Sequence, residues 1–149
     1  MCIRDSHPTE IRATLEAARQ RFNNRRVWAV WQPHTFTRTK LLQDEFAQSF
    51  GEADKVIGLD IFRSREVDTL GMSTDLIVQK MDHKSAVYIP TKEDAANYIL
   101  DRILQGDVII TLGAGDRDLV GKLVLDGLKS RLTNHTVADN NAATQVGQL

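Results

Sequence analysis

Two short segments of this 149-residue chain place charged or small residues where they could meet a ligand: Gln32-Pro33-His34-Thr35-Phe36-Thr37-Arg38-Thr39 and Leu112-Gly113-Ala114-Gly115-Asp116. In the first, His34 and Arg38 could together grip a carboxylate or a phosphate. A guanidinium offers a bidentate fork, and the N–H groups at a helix start carry partial positive charge. The same two residues would also serve as a loop histidine and a solvated first-turn arginine. In the second segment, Gly113, Ala114 and Gly115 let the backbone approach a ligand and expose its N–H groups beside Asp116. A tight turn with Asp116 as a helix cap has the same composition. The segment is neither a Gly-x-x-x-x-Gly-Lys-Ser/Thr loop nor a full Gly-x-Gly-x-x-Gly fingerprint, because residue 118 is Asp. His7, directly before Pro8, stands at another helix start, where it could touch a phosphate or lie exposed. Arg63, Arg65, Glu66 and Asp68 read as a solvated mixed-charge surface and receive no role. His83 and His135 are uninformative, no histidine pair has metal-ligand spacing, and no protein-built metal site is predicted.

The elements that must position these residues follow from the hydrophobic period, which switches repeatedly between helical and extended. Pro8 suits a first helical turn, after which Ile11, Leu15, Ala18 and Phe22 share a face up to Asn23-Asn24. Residues 26–31 form a β-rich run stopped by Gln32-Pro33. A helix over 38–50 would line up Leu42, Phe46 and Phe50 and end at Gly51, followed by a strand over 55–59. After a loop through 62–72, Ser73 caps a helix with Ile77 and Met81 inward, and residues 86–89 return as a strand closed by Pro90. Thr91-Lys92-Glu93-Asp94 resembles a capping box ahead of Ala95, Ile99 and Ile103, and Gln105-Gly106 ends that helix. Residues 107–112 are a continuous run of the doubly buried kind, turned by Gly113-Ala114-Gly115 into a last helix with Val120, Val124 and Leu128. Four strands alternating with five helices imply an α/β fold: a mostly parallel sheet flanked by helices, with ligand-facing loops at the C-terminal strand ends. Beginning on a helix implies that the first strand is lacking.

Composition narrows the partners. With 19 Lys and Arg against 20 Asp and Glu, the net charge of −1 supplies no broad field for nucleic acid or an anionic membrane, so any anion must be gripped locally. The single cysteine, Cys2, excludes an internal disulfide framework and fits a cytoplasmic protein. No stretch approaches the roughly 18 apolar residues of a membrane span. Residues 1–6 lack periodicity and read as non-native sequence ahead of a domain over 7–132. Residues 133–149 are too polar to offset ordering entropy and are expected to form a disordered tail.

Taken together, residues 7–15 (His-Pro-Thr-Glu-Ile-Arg-Ala-Thr-Leu), 32–39 and 111–116 resemble the C-terminal domain of the UDP-N-acetylmuramate:L-alanine ligase family of Mur ligases. The resemblance runs over about residues 7 to 131 and includes Arg65-Glu66-Val67-Asp68 and Gly106-Asp107-Val108-Ile109-Ile110. It implies a Rossmann-like Mur ligase C-terminal domain. In such an enzyme ATP and Mg2+ activate the muramoyl carboxylate as an acyl phosphate, and the amine of L-alanine attacks it in peptidoglycan biosynthesis. The resemblance further implies that His34 and Arg38 contact the amino acid or acyl phosphate, that Gly113, Ala114, Gly115 and Asp116 line the same cleft, and that His7 lies on the nucleotide side. The domain that carries the phosphate loop and most magnesium ligands has no counterpart in this chain, so the chain alone is expected to be inactive. The family also has a strand, an acidic pair, an aromatic residue and another histidine ahead of His-Pro-Thr-Glu, where Arg4, Asp5 and Ser6 stand here. Asp5 has the wrong spacing to be one of those acids. Two other readings remain: the tripeptide-adding ligase of muropeptide recycling, whose equivalent of the Gln-Pro-His loop differs, and a stand-alone, non-catalytic α/β ligand-binding module.

Overall fold

The computed structural model describes residues 2–3, 7–67, 71–113, 115–116 and 118–145. Its elements are β1 (Cys2–Ile3), α1 (Pro8–Arg21), β2 (Val27–Gln32), α2 (Phe36–Leu41), α3 (Gln43–Ala47), β3 (Lys55–Gly58), α4 (Thr74–Lys80), β4 (Ala86–Tyr88), α5 (Lys92–Leu100), β5 (Val108–Gly113) and α6 (Asp118–Gln145). The strands form one parallel sheet in the order β1-β5-β2-β3-β4. Every residue of β2 is buried. As successive side chains point to opposite faces, Val27, Ala29 and Trp31 join one core and Trp28 and Val30 the other.

The first core packs α1 through Ile11, Leu15 and Ala18, together with Phe36 of α2, Phe46 of α3 and Ile77 of α4. Trp31 lies 4.8 Å from Phe46 and 5.3 Å from Phe50, ring centre to ring centre. The second core sets Ala95, Ala96 and Ile99 of α5 and Val120 and Val124 of α6 against Trp28, Val30 and Ile57. Each fully buried large side chain contributes roughly 1.5–3 kcal/mol of transfer free energy, so the two layers together hold the sheet. Ser73 caps α4 by accepting from the Asp75 N–H at 3.1 Å, and Thr91 caps α5 by accepting from the Asp94 N–H at 3.1 Å.

Beside the four strands read from the sequence, Cys2 and Ile3 pair with Thr111 and Leu112 on the outer side of β5. An edge strand presents unpaired N–H and C=O groups to any extended segment beside it, so two residues without periodicity suffice. The single helix expected over 38–50 begins earlier, at Phe36, and breaks at Leu42, whose φ and ψ are −109° and 16°. Phe36 and Phe46 would sit roughly 80° out of phase on a straight helix, and the break lets both enter one core. Helix α6 continues past residue 133 to Gln145.

The N-terminal ends of the strands are fastened by ion pairs. Arg26, just before β2, grips Asp107, just before β5, through Nε–Oδ1 at 2.9 Å and Nη2–Oδ2 at 2.6 Å. The Asp107 side chain is 4% exposed and also accepts from Trp28 Nε1 at 2.9 Å and the Leu104 N–H at 3.0 Å. Burial pushes this carboxyl up, but the hydrogen bonds from Arg26, Leu104 and Trp28 outweigh it and leave the pKa below its ordinary value. A depressed native pKa contributes stability above the unfolded-state value, which disappears as pH falls through the native one. Asp107→Ala should therefore cost about 2–4 kcal/mol in urea melts at neutral pH, since it strands the donors that the carboxylate serves. The gap between wild type and Asp107→Asn should narrow as pH falls below about 4. A gap independent of pH would show that the charge of Asp107 is not what matters.

Candidate functional site

A parallel sheet sends all its strand-to-helix connections out of one edge, and the residues singled out in the sequence gather there. β2 and β5 pair to their last residues, Gln32 opposite Gly113. The contact is close enough to dictate residue type. A β-carbon on Gly113, whose φ is +106°, would stand 1.9 Å from the Gln32 carbonyl oxygen. Gly115, at φ +70°, would press a β-carbon to 2.8 Å from Phe62 Cδ2 and 3.0 Å from Gln32 Oε1. The two loops are thus brought together through Phe62 and Gln32.

The loop after β2 is fixed to the loop after β3 as if the strands continued. The Phe62 N–H donates to the Pro33 carbonyl at 2.8 Å, and the Thr35 N–H donates to the Phe62 carbonyl at 3.0 Å. His34 and Phe62 form the bridge, and their rings stack with centres 5.9 Å apart and planes 16° apart. Thr35 then takes φ 60°, a strained conformation for a β-branched residue. It is held there because its carbonyl accepts from Thr39 Oγ1 at 2.6 Å and the Thr39 N–H at 3.2 Å. Arg38 projects, exposed, from the first turn of α2. The helix start expected to offer N–H groups to an anion is already engaged: Glu66 Oε2 accepts from the Thr37 N–H at 3.0 Å. That backbone bond is the main reason the Glu66 carboxyl lies below its ordinary pKa.

The other sequence candidates divide. Asp68 and Ala114 lie outside the described residues, and the Asp116 carbonyl accepts from the Leu119 N–H at 2.9 Å ahead of α6. His7 is the N-cap of α1: its Nδ1 accepts from the Thr9 N–H at 3.3 Å while Glu10 accepts from the His7 N–H at 3.4 Å. One of its ring nitrogens therefore serves the fold. Sequence reasoning missed Phe62, Gln32 and Glu66. Gln32 is only 7% exposed, and its Nε2 donates to the Asp60 carbonyl at 3.2 Å, which fixes the amide's orientation. Among the described residues its Oε1 has no hydrogen-bond partner. A polar residue ending a buried strand was a signal of this; nothing in the sequence announced that Phe62 would extend β3 toward His34.

Comparisons with known proteins agree with this architecture. A family model described as the Mur ligase, glutamate ligase domain, matches residues 6–115. Over 121 residues the chain is 47% identical to the UDP-N-acetylmuramate–L-alanine ligase of Lachnospira eligens and 46% identical to that of Acetivibrio thermocellus. Each match covers 80% of this chain and 26% of the relative, so the chain spans about a quarter of the length of these proteins. Its fold matches the UDP-N-acetylmuramate–alanine ligase of Thermotoga maritima at a TM-score of 0.68, over 86% of this chain and 26% of that one, with 21% identity. It matches a murein peptide ligase of Psychrobacter arcticus at 0.67, over 84% of this chain and 26% of that one, with 22% identity.

The two glycines should respond differently to an added methyl group. Gly113→Ala meets backbone in a left-handed conformation and should cost about 3 kcal/mol or more. Gly115→Ala meets the edge of a side chain that can turn aside, and should cost about 1–2 kcal/mol. Chemical denaturation of both variants checks the order; equal losses would mean that the Gln32–Gly113 approach is not rigid.

Proposed function

Because this chain belongs to the Mur ligase family, in its glutamate ligase domain, we propose that it is the C-terminal domain of an ATP-dependent ligase joining L-alanine to UDP-N-acetylmuramate in peptidoglycan synthesis. The observation that carries the reading is the union at one sheet edge of the His34 loop and the Gly113–Gly115 turn, clasped about Phe62. The identities of 47% and 46% to alanine ligases support alanine over a tripeptide as the group added, and over a stand-alone binding module.

In the parent enzyme, ATP would convert the muramoyl carboxylate to an acyl phosphate, which the alanine amine attacks. The domain would supply orientation and charge. The exposed guanidinium of Arg38 suits a phosphate or carboxylate oxygen, and the imidazole of His34, held flat on Phe62, can donate to an oxygen or accept from an N–H. Gly113 and Gly115, with Asp116 beside them, keep the opposite lip low enough for a ligand to lie against backbone. His7 would meet the nucleotide side through the ring nitrogen not used in the cap. This reading assigns Mg2+ and most ATP contacts to other parts of the parent. A cytoplasmic setting accompanies it.

Given UDP-N-acetylmuramate, L-alanine, ATP and Mg2+, the 149-residue chain alone should make no ADP; muramate-dependent turnover would overturn this assignment. In the full-length enzyme, Arg38→Ala should lower kcat/KM about 10- to 100-fold, the worth of a charge-assisted hydrogen bond, in a protein that still folds. Unchanged steady-state kinetics would remove Arg38 from the site.

A further inference from the structure

Gln32 meets both of the neighbouring strand-end connections. Its backbone carbonyl is the group that leaves no room for a β-carbon on Gly113. Its Nε2 donates to the Asp60 carbonyl at 3.2 Å, in the connection after β3. Its Oε1 lies 3.0 Å from where a β-carbon on Gly115 would stand, in the connection after β5. Gln32 is 7% exposed, and this oxygen is buried with no hydrogen-bond partner among the described residues. The amide cannot turn over to relieve this, because Oε1 would then face the Asp60 carbonyl oxygen, two acceptors with no proton between them. An unused donor is close by. No hydrogen bond among the described residues draws on the N–H of Gly115 or of Asp116. The Gly115 nitrogen is two bonds from that β-carbon position, so a shift of roughly one to two ångströms brings it within hydrogen-bond reach of Oε1. Gly113 and Gly115 take φ values of +106° and +70°, and glycine changes backbone region at little steric cost.

An apolar side chain of the same length would fill this space without stranding an acceptor, whose burial is unfavourable. A glutamine is explained when its oxygen is paired in another state of the protein. We propose that Gln32 is a positioning residue for ligation: Nε2 anchors it to the connection after β3, and Oε1 accepts a backbone N–H of Gly115 or Asp116 when bound substrates draw that turn inward. This latch joins the lip formed by Gly113 and Gly115 to the one that carries His34, because Asp60 is two residues from Phe62, which is bonded to the His34 loop. Gln32 touches no ligand atom and acts through the two loops. That the bound molecules are UDP-N-acetylmuramate, ATP and L-alanine rests on the ligase reading above; the pairing of the oxygen with the turn does not. An interaction made only in the closed complex raises kcat and leaves KM nearly unchanged.

Hydrogen–deuterium exchange of the full-length enzyme, followed in the peptide that contains residues 113–116, reads the latch directly. Adding Mg2+, a non-hydrolysable ATP analogue, UDP-N-acetylmuramate and L-alanine should slow exchange there at least tenfold in wild type. In Gln32→Met, which roughly conserves volume and deletes both polar atoms, the slowing should be less than about twofold. The kcat of this variant should fall at least tenfold, with KM for each substrate within about twofold of wild type. Its melting temperature should be about unchanged, since loss of the Nε2 bond is offset by removal of the stranded oxygen. Gln32→Glu supplies the rescue. Protonated, its carboxyl donates to the Asp60 carbonyl and still presents an oxygen to the turn; ionised, it cannot donate. Its kcat relative to wild type should therefore rise as pH falls through the titration of the new carboxyl. The proposal is overturned by absence of ligand-dependent protection in wild type, or by an unchanged kcat in Gln32→Met. A loss of kcat matched by a lower melting temperature, without recovery of Gln32→Glu at low pH, overturns it equally. If wild type forms ADP only with alanine present and Gln32→Met behaves as wild type, the latch falls and the ligase reading stands. If ADP formation does not depend on alanine while the turn is protected through Gln32, the reverse holds.

Discussion

The Gln32 carbonyl oxygen comes so near residue 113 that a β-carbon there would lie 1.9 Å away, and most of the C-terminal edge of the sheet is arranged around this approach. β2 can press on β5 to its last residue only because Gly113 has no side chain and accepts a φ of +106°. From that fixed pair the chain leaves in two directions, toward His34 on one side and Gly115 on the other. Phe62 fills the gap between them, stacked on the imidazole and touched by Gly115. The spacing of the two loops is therefore set by backbone, not by long side chains that could adopt other rotamers.

The two edges of the sheet are built for different purposes. At the N-terminal ends of the strands the polar groups are mutually satisfied. Arg26, Asp107 and Trp28 close one network, while Arg19 binds Asp54 at 2.7 Å, which also accepts from the Val27 N–H at 2.7 Å. At the C-terminal ends the structure tolerates a strained Thr35 and a buried Gln32 oxygen without a described partner. An unpaired buried acceptor costs on the order of 1–3 kcal/mol, and a strained dihedral about as much. Neither persists unless other interactions over-determine it, which the two buried cores and the opposite edge do. Stability is concentrated at one edge and the costly geometry at the other, the arrangement expected where strand ends carry a binding site.

What the sequence disclosed follows the range of the interactions involved. Strands β2 to β5 were legible to within about a residue because Pro33, Pro90 and Gly106 punctuate runs of apolar or β-branched residues, and the caps at Ser73 and Thr91 are local. The break at Leu42 was not legible, since it answers the need of Phe36 and Phe46 to enter the same core. Glu66 escaped for the same reason: 29 residues separate it from the Thr37 N–H it accepts, and a charged run in a loop gives no hint of such a partner. At His7 the neighbouring Pro8 marked the helix start, while the cap made by the histidine ring itself was not read from the sequence.

Phe62 ties the two sides of this edge together. It is partly exposed, an aromatic in a loop whose composition suggests only solvated charge, yet it is bonded through both backbone groups to the His34 segment. Those bonds make residues 60–63 a rigid continuation of β3 and so determine where Asp60 and Arg63 stand. The bridge thus couples the orientation of the imidazole on one side to the separation of a carboxylate and a guanidinium on the other. An exposed arginine on a free loop samples many rotamers, whereas Arg63, attached to this bridge and lying over Phe36, has surrendered part of that freedom.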